Sequence, residues 1–271
     1  MELIKDIDSY NYLLDKYTLK DTLTNNYLMA EQVSVLIENK NLTFIEGVRN
    51  LYFFVEHLNA IQIYYHLNDL VEQIELPIHL SFTMEIVYRG QLKRPLEALD
   101  FWNKNNFKTH LTRDNYSLVY KSKTEGVKTN SRINLSLAQT EEESGYIHQL
   151  FSKDLDKYTG DQKSFVEIKK YVSSGLILVA RVENQLCGAL QFEWKSNNCW
   201  LGHIVVDGQF RGQGIANALV DYYIETNKKT DQTRYQLWVI DDNLPAVNLY
   251  KRFGFIYAGK STVSMLKLKE L

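Results

Sequence analysis

The run Val206-Asp207-Gly208-Gln209-Phe210-Arg211-Gly212-Gln213-Gly214-Ile215-Ala216 joins an alternating apolar stretch to one whose apolar residues recur at helical spacing. Glycines remove Cβ atoms and let backbone N–H groups approach a bulky anion closely. The first N–H groups of a helix have no intrahelical partners and sit at the positive end of its dipole. A strand that passes through such a turn into a helix is therefore suited to a pyrophosphate. A nucleotide P-loop needs Gly-Lys-Ser/Thr, and the chain has Gly212-Gln213-Gly214-Ile215 instead. A dinucleotide fingerprint needs glycine or alanine where Asn217 stands, and an acidic residue some 20 positions on, which is not clearly placed. A CoA site and a plain structural turn remain.

A second group follows one strand later, Asn243-Leu244-Pro245-Ala246-Val247-Asn248-Leu249-Tyr250-Lys251-Arg252-Phe253-Gly254-Phe255. With this second motif the sequence resembles the GNAT family of acetyltransferases. The family's phosphate loop reads Gln/Arg-x-x-Gly-x-Gly/Ala after a strand, and its second signature is an asparagine, then an alanine and a tyrosine ahead of Gly-Phe. The resemblance covers about residues 132 to 270, with Gly208 where many relatives have proline. It implies an α/β fold of the acyl-CoA N-acyltransferase type with a mixed sheet. It also implies acetyl-CoA as acyl donor, no metal, and direct transfer of the acetyl group to a primary amine of a small molecule or peptide. By motif, the backbone of Ile204, Val205 and Val206 would hold the acyl and pantetheine arm. Arg211, Gly212, Gln213, Gly214, Ile215 and Ala216 would cradle the pyrophosphate, and Asn243 would contact the CoA arm. Tyr250 matches the tyrosine that protonates the leaving thiolate.

Acyl transfer to an amine also needs a neutral nucleophile. His203 lies on the strand leading to the loop, and histidine titrates near neutrality, so it could accept the amine's proton directly or through water. The other reading of His203 is a structural histidine. Glu193 on the neighbouring strand is a second candidate, and the family includes enzymes that use a water chain and no dedicated base. The rival to an enzyme is a CoA-binding sensor or scaffold without turnover.

The elements that position these residues follow from periodicity. Ile133, Leu135 and Leu137 alternate as a strand; Thr140 and Glu143 form a capping pair before a helix, and a second helix runs from about Lys163 to Val172. Strands are expected at 176–182, 186–194, 199–206, 234–240 and 264–268, with Glu183-Asn184-Gln185 as a hairpin turn. Ile215 to Tyr222 and the stretch opened by Pro245 read as helices. The polar segment Lys121–Arg132 reads as a linker, giving an accessory domain over 1–124 and the acetyltransferase domain over 130–271. In the first half, helical signals fill about 6–36, strands fall at 51–56, 60–67, 79–88 and 116–120, and Pro95 opens a helix. Ala98-Leu99-Asp100-Phe101-Trp102-Asn103-Lys104-Asn105-Asn106-Phe107 matches 246–255 without gaps, with Trp102 where Tyr250 stands. The first half is therefore expected to be a degenerate copy in tandem that has lost CoA, because no Gln/Arg-x-x-Gly-x-Gly turn precedes Lys121.

Composition excludes other classes. A hydrophobic fraction of 45% and 13% aromatics supply packed cores rather than disorder. A net charge of −2 with no dense basic stripe argues against a nucleic-acid partner. No segment approaches the roughly 20 apolar residues of a membrane span. The start of the chain has no signal-peptide pattern, and two cysteines, Cys187 and Cys199, suit a reducing cytoplasm. A monomer or homodimer is expected.

Overall fold

The computed structural model describes residues 1–90, 95–120 and 132–270. Contacts divide the chain into two compact units: Met1–Thr112 with Tyr158–Gly160 and Ser261–Leu271, and Arg113–Lys157 with Asp161–Lys260. Each unit thus includes a segment from beyond the 124/130 division read from sequence. Of the expected linker, only Arg132 is described.

The first unit contains β1 (Glu2–Leu3), α1 (Ile7–Tyr17), β2 (Leu23–Thr24), α2 (Ala30–Glu38), β3 (Thr43–Glu46), β4 (Leu51–Glu56), β5 (Ile61–Leu67), β6 (Phe82–Arg89), α3 (Leu96–Lys104) and the start of β7 (Lys108–Val119). Its strands run β1-β3-β4-β5-β6, with β2 against β5 and the C-terminal part of the last strand, β13 (Ile256–Lys267), beside β6. β4 is an unbroken apolar run because both its faces are covered. Leu51, Phe53 and Val55 pack with Tyr10, Leu13 and Val33 of α1 and α2; Tyr52 and Phe54 pack with Phe101 and Trp102 of α3. β5 and β6 are parallel and paired only at Ile61–Phe82 and Gln62–Thr83. Residues 68–81, which connect them, form no helix.

The second unit contains the rest of β7, then β8 (Ile133–Leu137), α4 (Glu141–Asp154), α5 (Phe165–Ser173), β9 (Ile177–Val182), β10 (Gln185–Lys195), β11 (Asn198–Val206), α6 (Ile215–Thr226), β12 (Arg234–Ile240), α7 (Leu244–Arg252) and the start of β13. Its strand order is β7-β12-β11-β10-β9-β8, with β11 and β12 parallel and the other pairs antiparallel. Thr140 Oγ1 accepts from Glu143 N at 3.1 Å while Glu143 Oε2 accepts from Thr140 N at 3.0 Å, the reciprocal capping expected there. The β9–β10 turn places Glu183 and Asn184 at φ 51° and 67°, the mirror-image turn that suits a tight hairpin. One core lies between the sheet and α6, where Leu190, Leu219, Tyr223, Tyr235 and Leu237 are buried. The other lies under α4 and α5, around Ile147, Phe151, Ile168 and Ala189.

The strands expected at 116–120 and 264–268 are in fact each 12 residues long, β7 and β13. β1, β2 and β3 carried no periodic signal because they span only two to four residues each. Among the described residues, no helix is long and apolar enough to cross a membrane.

Candidate active site

The site is built where β11 and β12 stop pairing. Their parallel register runs from Asn198–Arg234 to Leu201–Leu237, and β11 continues to Val206 bonded to β10 on its other side. Residues 202–206 of β11 and 238–240 of β12 therefore diverge, leaving backbone groups of β11 facing the gap. A cleft of ≈ 760 Å³ opens there, lined by Ile204, Val205 and Val206 of β11, Ile240 of β12, the glycine turn, the first turn of α6 and one side of α7.

Local chemistry fixes the turn. Asp207 Oδ1 accepts from Gln209 N at 3.0 Å, capping a short 3₁₀ turn, and its Oδ2 accepts from the Tyr146 hydroxyl at 3.1 Å. The amide bond from Gln209 is the largest influence on that carboxyl, which is held below its ordinary range. Gly212 and Gly214 follow at φ 81° and 84°, a conformation that side chains with a Cβ rarely adopt. A Cβ built on either glycine would meet nothing within 4 Å, so this space lies open in front of the α6 amides. Gly188 sets the depth of α6 against the sheet: a Cβ there would stand 3.2 Å from Ile215 Cγ2 and 3.3 Å from Leu219 Cδ1. Open space before unpaired helix amides, next to a strand edge of unpaired peptide groups, fits a pyrophosphate with an extended pantetheine arm.

Of the residues predicted for the cofactor, Ile204, Val205, Val206, Arg211, Gly212, Gly214, Ile215, Ala216 and Asn243 line this one cleft. Gln213 is not among the lining residues. The Arg211 side chain is committed elsewhere, donating from Nε to the Val206 carbonyl at 3.1 Å and from Nη2 to Asp154 at 2.6 Å. Asn243 caps α7, its Oδ1 accepting from Ala246 N at 3.2 Å.

Neither predicted proton carrier is among the residues that line the cleft. Tyr250 is 4% exposed, packed in the α6 core with its ring 5.8 Å from that of Phe255, while its neighbour Leu249 lines the cleft. Burial pushes the Tyr250 hydroxyl well above its ordinary value. His203 is half-buried, with its ring 6.0 Å from that of Phe151. Burial lowers its pKa first of all; Asp161 opposes this, while Lys163 and Arg113 add to it. Glu193 is ion-paired with Lys195 at 2.7 Å and does not line the cleft.

Sequence reasoning missed the cleft's carboxylates and its second arginine. Asp154, Asp156 and Asp161 come from the end of α4 and the loop after it, and Asp161 pairs with Arg113 of β7 at 2.5 Å. No local motif marks them, because they reach the cleft only through the fold. Arg252, on the last turn of α7, lines it as well. Among the described residues, no group of three or more His, Cys, Asp or Glu could hold a metal ion.

Comparison with known proteins agrees with this geometry. Residues 144–255 match the family described as Acetyltransferase (GNAT) family. A stretch of 52 residues is 46% identical to an uncharacterized N-acetyltransferase of Methanocaldococcus jannaschii, covering 19% of this chain and 23% of that one. A stretch of 61 residues is 38% identical to the thialysine N-epsilon-acetyltransferase of Mus musculus, covering 22% and 36%. The chain therefore spans between about a quarter and about a third of these curated relatives. The fold is shared with a tandem GNAT protein from the clavulanic acid biosynthesis pathway, at a TM-score of 0.54 and 10% identity, over 85% of this chain and 84% of that one. Residues 144–255 are thus similar to the GNAT family of acetyltransferases.

Proposed function

We propose that the protein is an N-acetyltransferase that moves an acetyl group from acetyl-CoA to a primary amine of a small molecule or peptide. The observation that carries this reading is the convergence of nine motif residues on one cleft that joins a glycine cradle to a strand edge. Acetyl-CoA would supply the activated acyl thioester. The amides of Gly212 to Ala216 would hold its phosphates, and the edge of Ile204 to Val206 would align its arm and stabilise charge on the reacting carbonyl oxygen. His203, kept neutral by burial, would take the proton from the ammonium form, through water because it does not line the cleft. The freed lone pair then forms the N–C bond as the C–S bond breaks. Tyr250, which keeps its proton because it is buried, would give that proton to the departing sulfur and be reloaded by the second proton that the nitrogen sheds as the amide forms.

The acceptor class rests on the family and on the mouse relative, whose name denotes a small amine substrate. We read the first unit as a degenerate copy. Apart from the two-residue β2 between its helices, it repeats the order strand, two helices, three strands, strand, helix and long strand, but has residues 68–81 where the second unit has α6. Trp102 fills its core, with the rings of Tyr52, Tyr65, Phe101 and Phe107 within 6.0 Å. Two buried free cysteines agree with a reducing cytoplasm.

The test is release of CoA from acetyl-CoA across a panel of primary amines. Turnover is expected with at least one, and Tyr250→Phe should lower kcat by about tenfold or more with little change in CoA affinity. Binding of acetyl-CoA with no turnover on any amine would favour a sensor instead.

A further inference from the structure

Each unit contains a pair of parallel strands that part, and what fills the gap differs. In the second unit β11 and β12 part after Leu201–Leu237, and the gap is the open cleft. In the first unit β5 and β6 part after Gln62–Thr83. β4 pairs with β5 from Leu51–His66 to Glu56–Ile61, so one edge of β5 is taken along its length. The other edge, towards β6, has no partner in β6 beyond Gln62. Backbone groups left there inside the fold must find partners elsewhere.

Residues 23–25 of the same unit supply them. β2 runs antiparallel to β5, with Leu23 opposite Leu67 and Thr24 opposite His66. Asn25 follows, only 4% exposed, and its carboxamide reaches both parted strands. Its Nδ2 donates to the Ile63 carbonyl at 3.0 Å and to the Glu85 carbonyl of β6 at 2.9 Å, and its Oδ1 accepts from Tyr65 N at 2.7 Å. One side-chain amide thus spends both donors and its acceptor on the parted backbones. That is the bonding an extended ligand with amides of its own, such as a pantetheine arm, would offer to the same edge. The segment belongs to the connection between α1 and α2, the counterpart in chain order of the α4–α5 connection, whose Leu155, Asp156 and Asp161 line the open cleft.

We propose that the strand gap of the first unit is a cofactor-arm site occupied by the chain itself, with Asn25 as its built-in ligand. The gap then excludes CoA and its thioesters, and the protein takes one CoA per chain. The inference rests on the reading of the first unit as a degenerate copy. Hydrogen exchange of the full chain, read at the Tyr65 amide, and titration calorimetry with CoA test it. In wild type the Tyr65 amide should exchange slowly without CoA and be unchanged at saturating CoA, while amides within 204–216 slow on its addition. Calorimetry should give one CoA per chain. Asn25→Ala should speed exchange at Tyr65 by about tenfold, the worth of one buried hydrogen bond, and leave CoA affinity unchanged. Two CoA per chain, slowing at Tyr65 by CoA, or a Tyr65 amide that is unprotected in wild type would overturn the proposal, and none of these outcomes depends on the variant folding. No binding of CoA at all would overturn the site of the second unit, and exchange at Tyr65 would still decide the role of Asn25.

Discussion

Burial acts in opposite directions on the two side chains proposed to move protons. It lowers the pKa of His203 and raises that of Tyr250, so near neutrality the first is an empty acceptor and the second a loaded donor. A lowered pKa means that His203 stays deprotonated to a lower pH than an ordinary histidine. The acidic limb of kcat/KM against pH is therefore expected below about 6.5, with a plateau above it. In His203→Gln that limb should disappear and the rate fall. A limb at or above 6.5, or one that survives the substitution, would remove His203 as the base. The residues of the two motifs were legible in sequence because each motif is a continuous stretch that builds its own turn or cap. Asp154, Asp161 and Arg113 were not, since they reach the cleft from α4, a loop and β7, and nothing in their local sequence distinguishes them from surface charges.

At the scale of elements, the same physics of burial makes one helix–strand junction of the first unit sensitive to acid. His66 of β5 bonds through Nδ1 to the Thr18 hydroxyl at 3.1 Å and accepts at Nε2 from Asn26 Nδ2 at 3.2 Å. The Asn26 amide is fixed in this sense because its Oδ1 accepts from Leu28 N, so a second proton on His66 would face another donor. Burial lowers the His66 pKa to about 4. The folded pKa lies below the unfolded value, so the stabilisation is present above about 6.5 and is lost as pH falls towards 4. A loss on the order of 3 kcal/mol is expected over that range. Denaturant titrations at several pH values check it: His66→Gln should flatten the acid slope, and an unchanged slope would assign it to other groups. Among the elements, β12 and β4 were read to the residue because their apolar patterns are regular. β7 and β13 were read short, since Lys108–His110 and Gly259–Lys260 are exposed and give no alternation.

The whole molecule departs most from a reading of its halves. Arg113–Val119 of β7 pairs along all of β12 in the second unit, and Val263 and Met265 of β13 fill the core of the first. No local signal could reveal such an exchange, because a strand's period says which face is buried and not which neighbour it joins. The fragment 130–271 would leave β12 unpaired on one side and lose Tyr116 from its core. Against a domain stability of roughly 5–15 kcal/mol, that loss should prevent a cooperative thermal transition. A folded fragment 130–271 stabilised by CoA would contradict the exchange. The central claim, that the glycine turn is a phosphate cradle, is tested most directly by the shift in melting temperature of the full chain on adding CoA. At a hundredfold excess over Kd, wild type should gain about 2.7 kcal/mol and melt several degrees higher. Gly212→Glu places a side chain and a negative charge in the open space before the α6 amides, and should show no rise. A rise equal to that of wild type in Gly212→Glu would contradict the account.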